Sequence, residues 1–167
     1  MIVVFHGYLS DGITWDDDCV NRFLNTQNAF RNPVEFVKVW NRPLFILLFS
    51  IPAQIGPISI ILFMPLLSLL GAFFVYRSVD FLGYKFPFVV IPLYLFQSFY
   101  MPISYNALTE PIASTLISII LYCFIRRWDN LLIFVLSFLP LIRLELVLLY
   151  PFMLLIMHLR SRSSLYI

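Results

Sequence analysis

Hydrophobic positions in this chain come in long unbroken runs, with the polar positions clustered between them. From Pro43 to Tyr76 there is no Asp, Glu, Lys or Arg, and the same holds from Phe86 to Thr109. Leu146 to Leu159 also carries none of the four and holds one histidine, His158. A spanning helix needs roughly 20 mostly apolar residues, and the first two runs supply that length. The pattern predicts a span over about 58–76 with a kink at Pro65, a short loop over 77–85, and a span over 86–100 interrupted by Pro92. After a loop over 103–109, a helix is predicted from Glu110-Pro111 to Arg126-Arg127. Proline suits the first helical position, and an acid suits the positive end of the helix dipole. A turn at 128–130 leads into 131–142, and 146–159 follows; these are expected as two half-length helices turning near Pro140–Glu145.

The long polar region is 11–42. It mixes acids (Asp11, Asp16, Asp17, Asp18, Glu35) with bases (Arg22, Arg31, Lys38, Arg42). Val20, Phe23, Leu24 and Gln27 recur at helical spacing behind the acidic Asp17-Asp18 pair, which predicts a short amphipathic helix over about 18–30. A break at Asn32-Pro33 and a second short helix toward Trp40 follow. Pro43 to Ala53 then enters the membrane interface, and Gly56-Pro57 ends that run.

Composition agrees with this pattern. The chain is 61% hydrophobic and 12% charged, against about a quarter charged in a typical globular chain. MIVVFHGYLS at the start has no basic region and no small-residue cleavage site, so it does not read as a signal peptide. It reads as the end of a first helix or as an interfacial segment. Cys19 and Cys123 sit in dissimilar surroundings and are expected as lone thiols. No Cys/His cluster has metal-site spacing. A net charge of +2 without a basic run gives no case for nucleic acid.

The expected fold is therefore all-α, a polytopic transmembrane helix bundle whose first extracytoplasmic loop contains short amphipathic helices. One membrane domain covers 1–167: a helix stub over 1–10, the acidic loop over 11–42, four to five membrane helices over 43–159, and a cytoplasmic tail over 160–167. The positive-inside rule puts Arg77/Lys85, Arg126/Arg127 and Arg160/Arg162 on the cytoplasmic side. The opposite face then receives 11–42, 103–110 and Arg143–Glu145.

Charge at membrane depth marks function or a specific partner, and three places qualify: the aspartate cluster, Glu110, and Arg143 with Glu145. Adjacent carboxylates hold a base near working pH or ligate a divalent cation; the plainer reading is a solvated turn capping the following helix. Trp15 beside them reads as an interfacial anchor or a platform for a sugar ring. Arg143 and Glu145, two apart on a helix, are expected to point apart and not to form a close pair. Arg143 would then reach outward, where its planar fork suits a phosphate, or pair structurally with Glu110 or a loop aspartate. Glu110 is also a natural helix cap. His6 and His158 stand alone and receive no role.

In order along the chain come Asp17-Asp18 after a hydrophobic segment, then W-N-R-P-L (Trp40 to Leu44), N-A-L-T-E-P (Asn106 to Pro111) and L-I-R-L-E (Leu141 to Glu145). This series resembles the N-terminal part of the GT-C superfamily of membrane glycosyltransferases, which includes protein O-mannosyltransferases and lipid A sugar transferases. The resemblance implies an integral membrane enzyme of a prokaryotic plasma membrane or of the endoplasmic reticulum. Such an enzyme moves a sugar from a polyprenyl-phosphate donor to a protein, lipid or glycan acceptor on the extracytoplasmic face. It implies Asp17 or Asp18 as general base, with Asp16 beside them, and Glu110 orienting the acceptor or supporting the base. Arg143 would steady the leaving phosphate with Glu145 behind it, and a divalent cation, if used, would sit on Asp17 and Asp18. It also implies that the chain is a fragment of a larger protein. The other reading of the same pattern is a non-catalytic, multi-spanning subunit or transporter-like scaffold in which the acids are structural.

Overall fold

A computed structural model describes residues 17–98 and 100–163 of the chain. Among these residues the structure is all-helical. The helices are α1 (Asp17–Asn28), α2 (Pro43–Phe49), α3 (Pro57–Phe81), α4 (Val90–Leu95), α5 (Tyr100–Ile103), α6 (Glu110–Ile125), α7 (Asp129–Leu136), α8 (Leu139–Ile142) and α9 (Leu149–Ser163). Short 3-10 turns at Pro33–Phe36, Val39–Asn41, Pro52–Gln54, Pro87–Val89 and Leu144–Leu148 join several of them.

Prolines do much of the cutting. One lies in the first turn of α2, α3, α6 and α8, where its fixed φ suits the helix and its missing N–H costs nothing. Gly56 precedes α3 at φ +121°, a conformation that a side chain rarely adopts, so the break expected at Gly56-Pro57 has a backbone cause. Pro65 lies inside α3 without ending it.

Several expected elements differ. The loop predicted over 77–85 is largely helix, because α3 runs on to Phe81 and carries Arg77 and Asp80 with it. The span predicted over 86–100 is not one helix. Pro87 opens a 3-10 turn, Pro92 falls in the six-residue α4, and the backbone leaves helix after Leu95. Prolines this closely spaced remove too many ladder donors for a continuous helix. The second short helix expected toward Trp40 is a pair of 3-10 turns. Residues 131–142 are divided between α7 and α8, and helix α9 continues through Arg160 where a tail was expected. The stub at 1–10, Trp15 and Asp16 lie outside the described residues.

α3 and α6 form the most extensive helix pair. Small side chains line their contact: Ser68, Gly71 and Ala72 on α3, Ala113, Thr115 and Ser118 on α6, all buried. A Cβ on Gly71 would stand 3.1 Å from Thr115 Oγ1 and against the Tyr94 hydroxyl. Thr115 Oγ1 donates toward Leu67 O and Pro111 O, each at 2.7 Å. The Tyr100 hydroxyl bridges Ser68 Oγ at 3.1 Å and Ser114 Oγ at 3.0 Å.

One apolar cluster joins Phe23 of α1, Phe45 and Phe49 of α2, Ile60 and Met64 of α3, and Ile142 of α8. A second lies between α6 and the α7–α8 pair, around Ile120, Leu132 and Leu136. The chain runs back and forth beside α6. Arg160 near the end of α9 donates to Phe124 O at 2.8 Å and pairs with Asp129 at the start of α7. Arg143, after α8, pairs instead with Glu110 at the start of α6. The molecule thus has two polar ends, about 24 Å apart by the rise of the 16-residue α6.

Between those ends, large apolar side chains face outward. On α3 they include Phe63, Leu66, Leu69 and Phe73, and on α9 Phe152, Leu155 and Leu159. Among the described residues, α3 alone is long and apolar enough to cross a membrane; α6 and the α7–α8 pair are apolar but shorter.

Candidate functional site

The end of the molecule at the start of α6 gathers charge from four parts of the chain. Asp18 and Arg22 come from α1, Arg42 from the residue before α2, Glu110 from the first turn of α6, and Arg143 and Glu145 from the turn after α8. α1 lies down through Cys19, Phe23 and Thr26, spaced four and three apart, all buried. The buried stripe is thus rotated from the one read off the sequence, and Val20 and Leu24 are exposed. This rotation turns Arg22 inward. Its Nη1 donates to Ala107 O at 2.7 Å across 85 positions of sequence, and its guanidinium lies 5.7 Å from the Phe45 ring centre.

Arg143 marks the turn. Its backbone is extended, with φ −148° and ψ 117°, and a 3-10 turn follows at once. In that geometry residues 143 and 145 project to one side, so the expectation that they point apart is corrected. Nε of Arg143 donates to Glu145 Oε1 at 2.5 Å, and Nη1 donates to Glu110 Oε1 at 2.8 Å. The structural pairing with Glu110 is therefore present, and Arg143 does not reach outward alone. A guanidinium has five donor hydrogens, and these two bonds use two of them. The second Glu110 oxygen, Oε2, is buried and has no hydrogen-bond partner.

Arg42 completes the group. It adopts φ 59° and ψ 86°, a left-handed conformation that costs a residue with a side chain about 1–2 kcal/mol, and its carbonyl caps α2 through Phe45 N at 2.8 Å. The electrostatics show who feels whom. Burial lowers the proton affinity of Arg22, with Asp18 and Glu110 acting against that and Arg42 acting with it. Burial also opposes charge on Arg143, but the Glu145 hydrogen bond and the field of Glu110 outweigh it, so its pKa rises. Glu145 is held below the usual carboxylate value by its own backbone N–H, then by the Arg143 hydrogen bond, with Arg42 adding to the pull. Three acids and three guanidiniums thus form one interacting set.

The loop that carries Arg42 is fixed by a buried carboxylate. Glu35 accepts from Asn32 Nδ2 at 2.8 Å, from Lys38 Nζ at 2.5 Å, and from Asn41 Nδ2. Asn41 Oδ1 accepts in turn from Asn25 Nδ2 of α1 at 3.0 Å. A carboxylate buried with this many donors locks geometry rather than reacting.

Of the residues singled out in the sequence, Asp18, Glu110, Arg143 and Glu145 lie in this set. Asp17 begins α1, but its side chain, like all of Asp16, lies outside the described residues. Arg22 and Arg42 were not singled out. The signal for Arg42 was its place before Pro43, which restricts the backbone; no local signal pointed Arg22 at Ala107. Among the described residues no three His, Cys, Asp or Glu side chains converge on a point, and Asp18 stands in the field of Arg22. The Asp17–Asp18 pair expected for a divalent cation lies partly outside the described residues. The charged set places the Asp18 carboxylate in the field of Arg22 and leaves charged N–H donors on Arg143. No family model matches the chain, and neither a curated protein nor a solved structure matches it.

Proposed function

We propose that the protein is a polytopic membrane glycosyltransferase of the GT-C type, transferring a sugar from a polyprenyl-phosphate donor to an acceptor hydroxyl. The observation that carries this reading is the convergence of Asp18, Arg22, Glu110 and Arg143 at one end of a helical body whose flanks are apolar. Exposed apolar side chains gathered on such flanks mark contact with a partner, a ligand or a membrane, and this reading assigns them to lipid. An apolar groove of about 330 Å³ between α2 and α3, bounded by Phe49, Pro52, Phe63 and Leu67, suits a prenyl chain. The charged end suits the phosphate and the reacting hydroxyl.

The reaction needs two things from the protein. Asp18 accepts the proton as the acceptor oxygen bonds to the anomeric carbon. The carbon–oxygen bond to phosphate breaks, and its electron pair stays on the leaving polyprenyl phosphate. That adds a negative charge, which the unused donors of Arg143 meet; such preorganised donors act most where charge develops. On this reading the step is an inverting displacement, with the acceptor in place of water.

The test is transfer from a polyprenyl-phosphate hexose by the protein in lipid, comparing wild type with Asp18→Asn. Loss of a general base lowers the rate by about 10²–10⁴-fold, while insertion and helix content stay unchanged. Unchanged transfer removes Asp18 from the mechanism. A second reading, a non-catalytic scaffold, is favoured by one observation: Arg143 is already held by two carboxylates. On that reading Glu110→Gln loosens the turn after α8 and leaves every ligand unaffected.

A further inference from the structure

Beside Asp18, on the outer surface of α1, there is a small polar notch lined by Asp18, Asn21, Arg22, Asn25, Trp40 and Asn41. We infer that this notch binds one hydroxyl of a saccharide whose ring lies over the Trp40 indole, and that it is the acceptor subsite. Its volume is about 20 Å³. One water or hydroxyl needs about 10–15 Å³, so the notch holds a single such group and the rest of the ligand must lie across its rim. Trp40 forms that rim and is 81% exposed.

The lining is preorganised. Arg22 is tethered to Ala107 O, and Asn41 is held between Asn25 and the buried Glu35. Its chemistry is that of a polyhydroxyl site. It pairs one carboxylate with one guanidinium, so its formal charge is balanced and an anion gains little there. The Asn21 side chain has no hydrogen-bond partner among the described residues, and the amides of Asn21 and Asn25 offer acceptor oxygens beside the Arg22 donors. Donors beside acceptors match one hydroxyl, which both gives and takes a hydrogen bond. The indole supplies a flat apolar face with a polar surround, which fits the C–H face of a pyranose. A peptide strand would need a sheet edge to pair with, and the described residues hold no strand.

Identifying the bound hydroxyl as the one that reacts rests on the glycosyltransferase reading, because Asp18 lines the notch. Binding of the sugar does not rest on it, so the experiment omits the donor. Saturation-transfer NMR is recorded on the chain in lipid nanodiscs with methyl α-D-mannopyranoside and methyl β-D-glucopyranoside as probes. The expected result is saturation of ring C–H protons. In Trp40→Ala it falls by about tenfold through loss of the stacking face, and in Asn21→Ala by about threefold through loss of one hydrogen bond. Trp40→Phe retains part of the signal. Trp40 and Asn21 are exposed, and unchanged helix content confirms that the variants fold. No saturation in wild type, or equal saturation in Trp40→Ala, overturns the inference. So does a fluorinated Trp40 whose signal is broadened by spin-labelled lipid, which makes it a bilayer anchor. Saccharide binding without any transfer activity keeps the notch and removes the enzyme reading; transfer that is indifferent to Trp40→Ala does the reverse.

Discussion

At the C-terminal end of α6, Arg126 lies 4.7 Å from the Phe81 ring centre and 5.4 Å from that of Trp128. Arg160 lies 4.8 Å over Phe124, donates to Phe124 O and pairs with Asp129. At the N-terminal end, by contrast, Arg143 joins two carboxylates and Arg22 joins a loop carbonyl. The first arrangement matches what a helix C-terminus asks of a cation: orphan carbonyls to accept its N–H groups, and a dipole end of the right sign. The second has a buried carboxylate oxygen without a partner, unused guanidinium donors and a notch in its surface. Similar residue types therefore finish helices at one end and leave chemistry available at the other.

The largest test of this contrast removes one arginine from each end. On the proposed reading, Arg143→Gln lowers transfer by about 10²–10³-fold, as loss of one donor to a developing anion does. Arg160→Gln leaves transfer close to wild type and costs about 1 kcal/mol of stability, since its ion pair is partly exposed and its ring contact modest. Paired measurement of rate and unfolding midpoint separates the two. Equal rate losses would erase the distinction between the ends.

A smaller effect is expected in the body that connects them. Gly71→Ala gains about 0.5–1 kcal/mol of helix propensity, but the new Cβ meets Thr115 Oγ1 at 3.1 Å. Thr115 is held by its one hydroxyl hydrogen, shared between Leu67 O and Pro111 O, and overpacking costs about 1–3 kcal/mol. Overpacking wins, so the variant unfolds earlier in a detergent titration and both ends loosen together. A stabilised Gly71→Ala would show that α3 and α6 do not meet this closely.

The ends differed in how far the sequence revealed them. Glu110-Pro111 announced the start of α6 by local chemistry, and the helix begins there. Asp17-Asp18 did the same for α1. What hid was tertiary or depended on a rare backbone. The spacing of Val20, Phe23, Leu24 and Gln27 suggests a different apolar stripe and gives Arg22 no role, and only packing through Cys19, Phe23 and Thr26 turns it inward. Arg143 and Glu145 were separated on the assumption of a helix, which an extended residue and a 3-10 turn replaced. Glu35 gave no sign of being the anchor of its loop, because its donors sit on separate turns. The broken 86–100 region was legible in Pro87, Pro92 and Pro102, and hydropathy outweighed them.

The smallest expected effect is the pH response of the turn that carries Arg143. Glu145 has a pKa below the ordinary value, so it binds its proton less readily folded than unfolded. Such a group contributes stability that is fully present above the unfolded value, about 4.3, and is lost as pH falls through the lower folded value. Arg143 is shifted upward from a value that is already high, and it stays charged throughout. The turn at 144–148 should therefore be indifferent to pH from neutrality down to about 4.3 and loosen below that. Hydrogen exchange of its amides, corrected for intrinsic rates, reads this directly, with the α7 amides as an internal reference. Glu145→Gln should abolish the acid step without moving the α7 amides. A step that survives that substitution belongs to another carboxylate, and Glu145 is then not what ties the turn to pH.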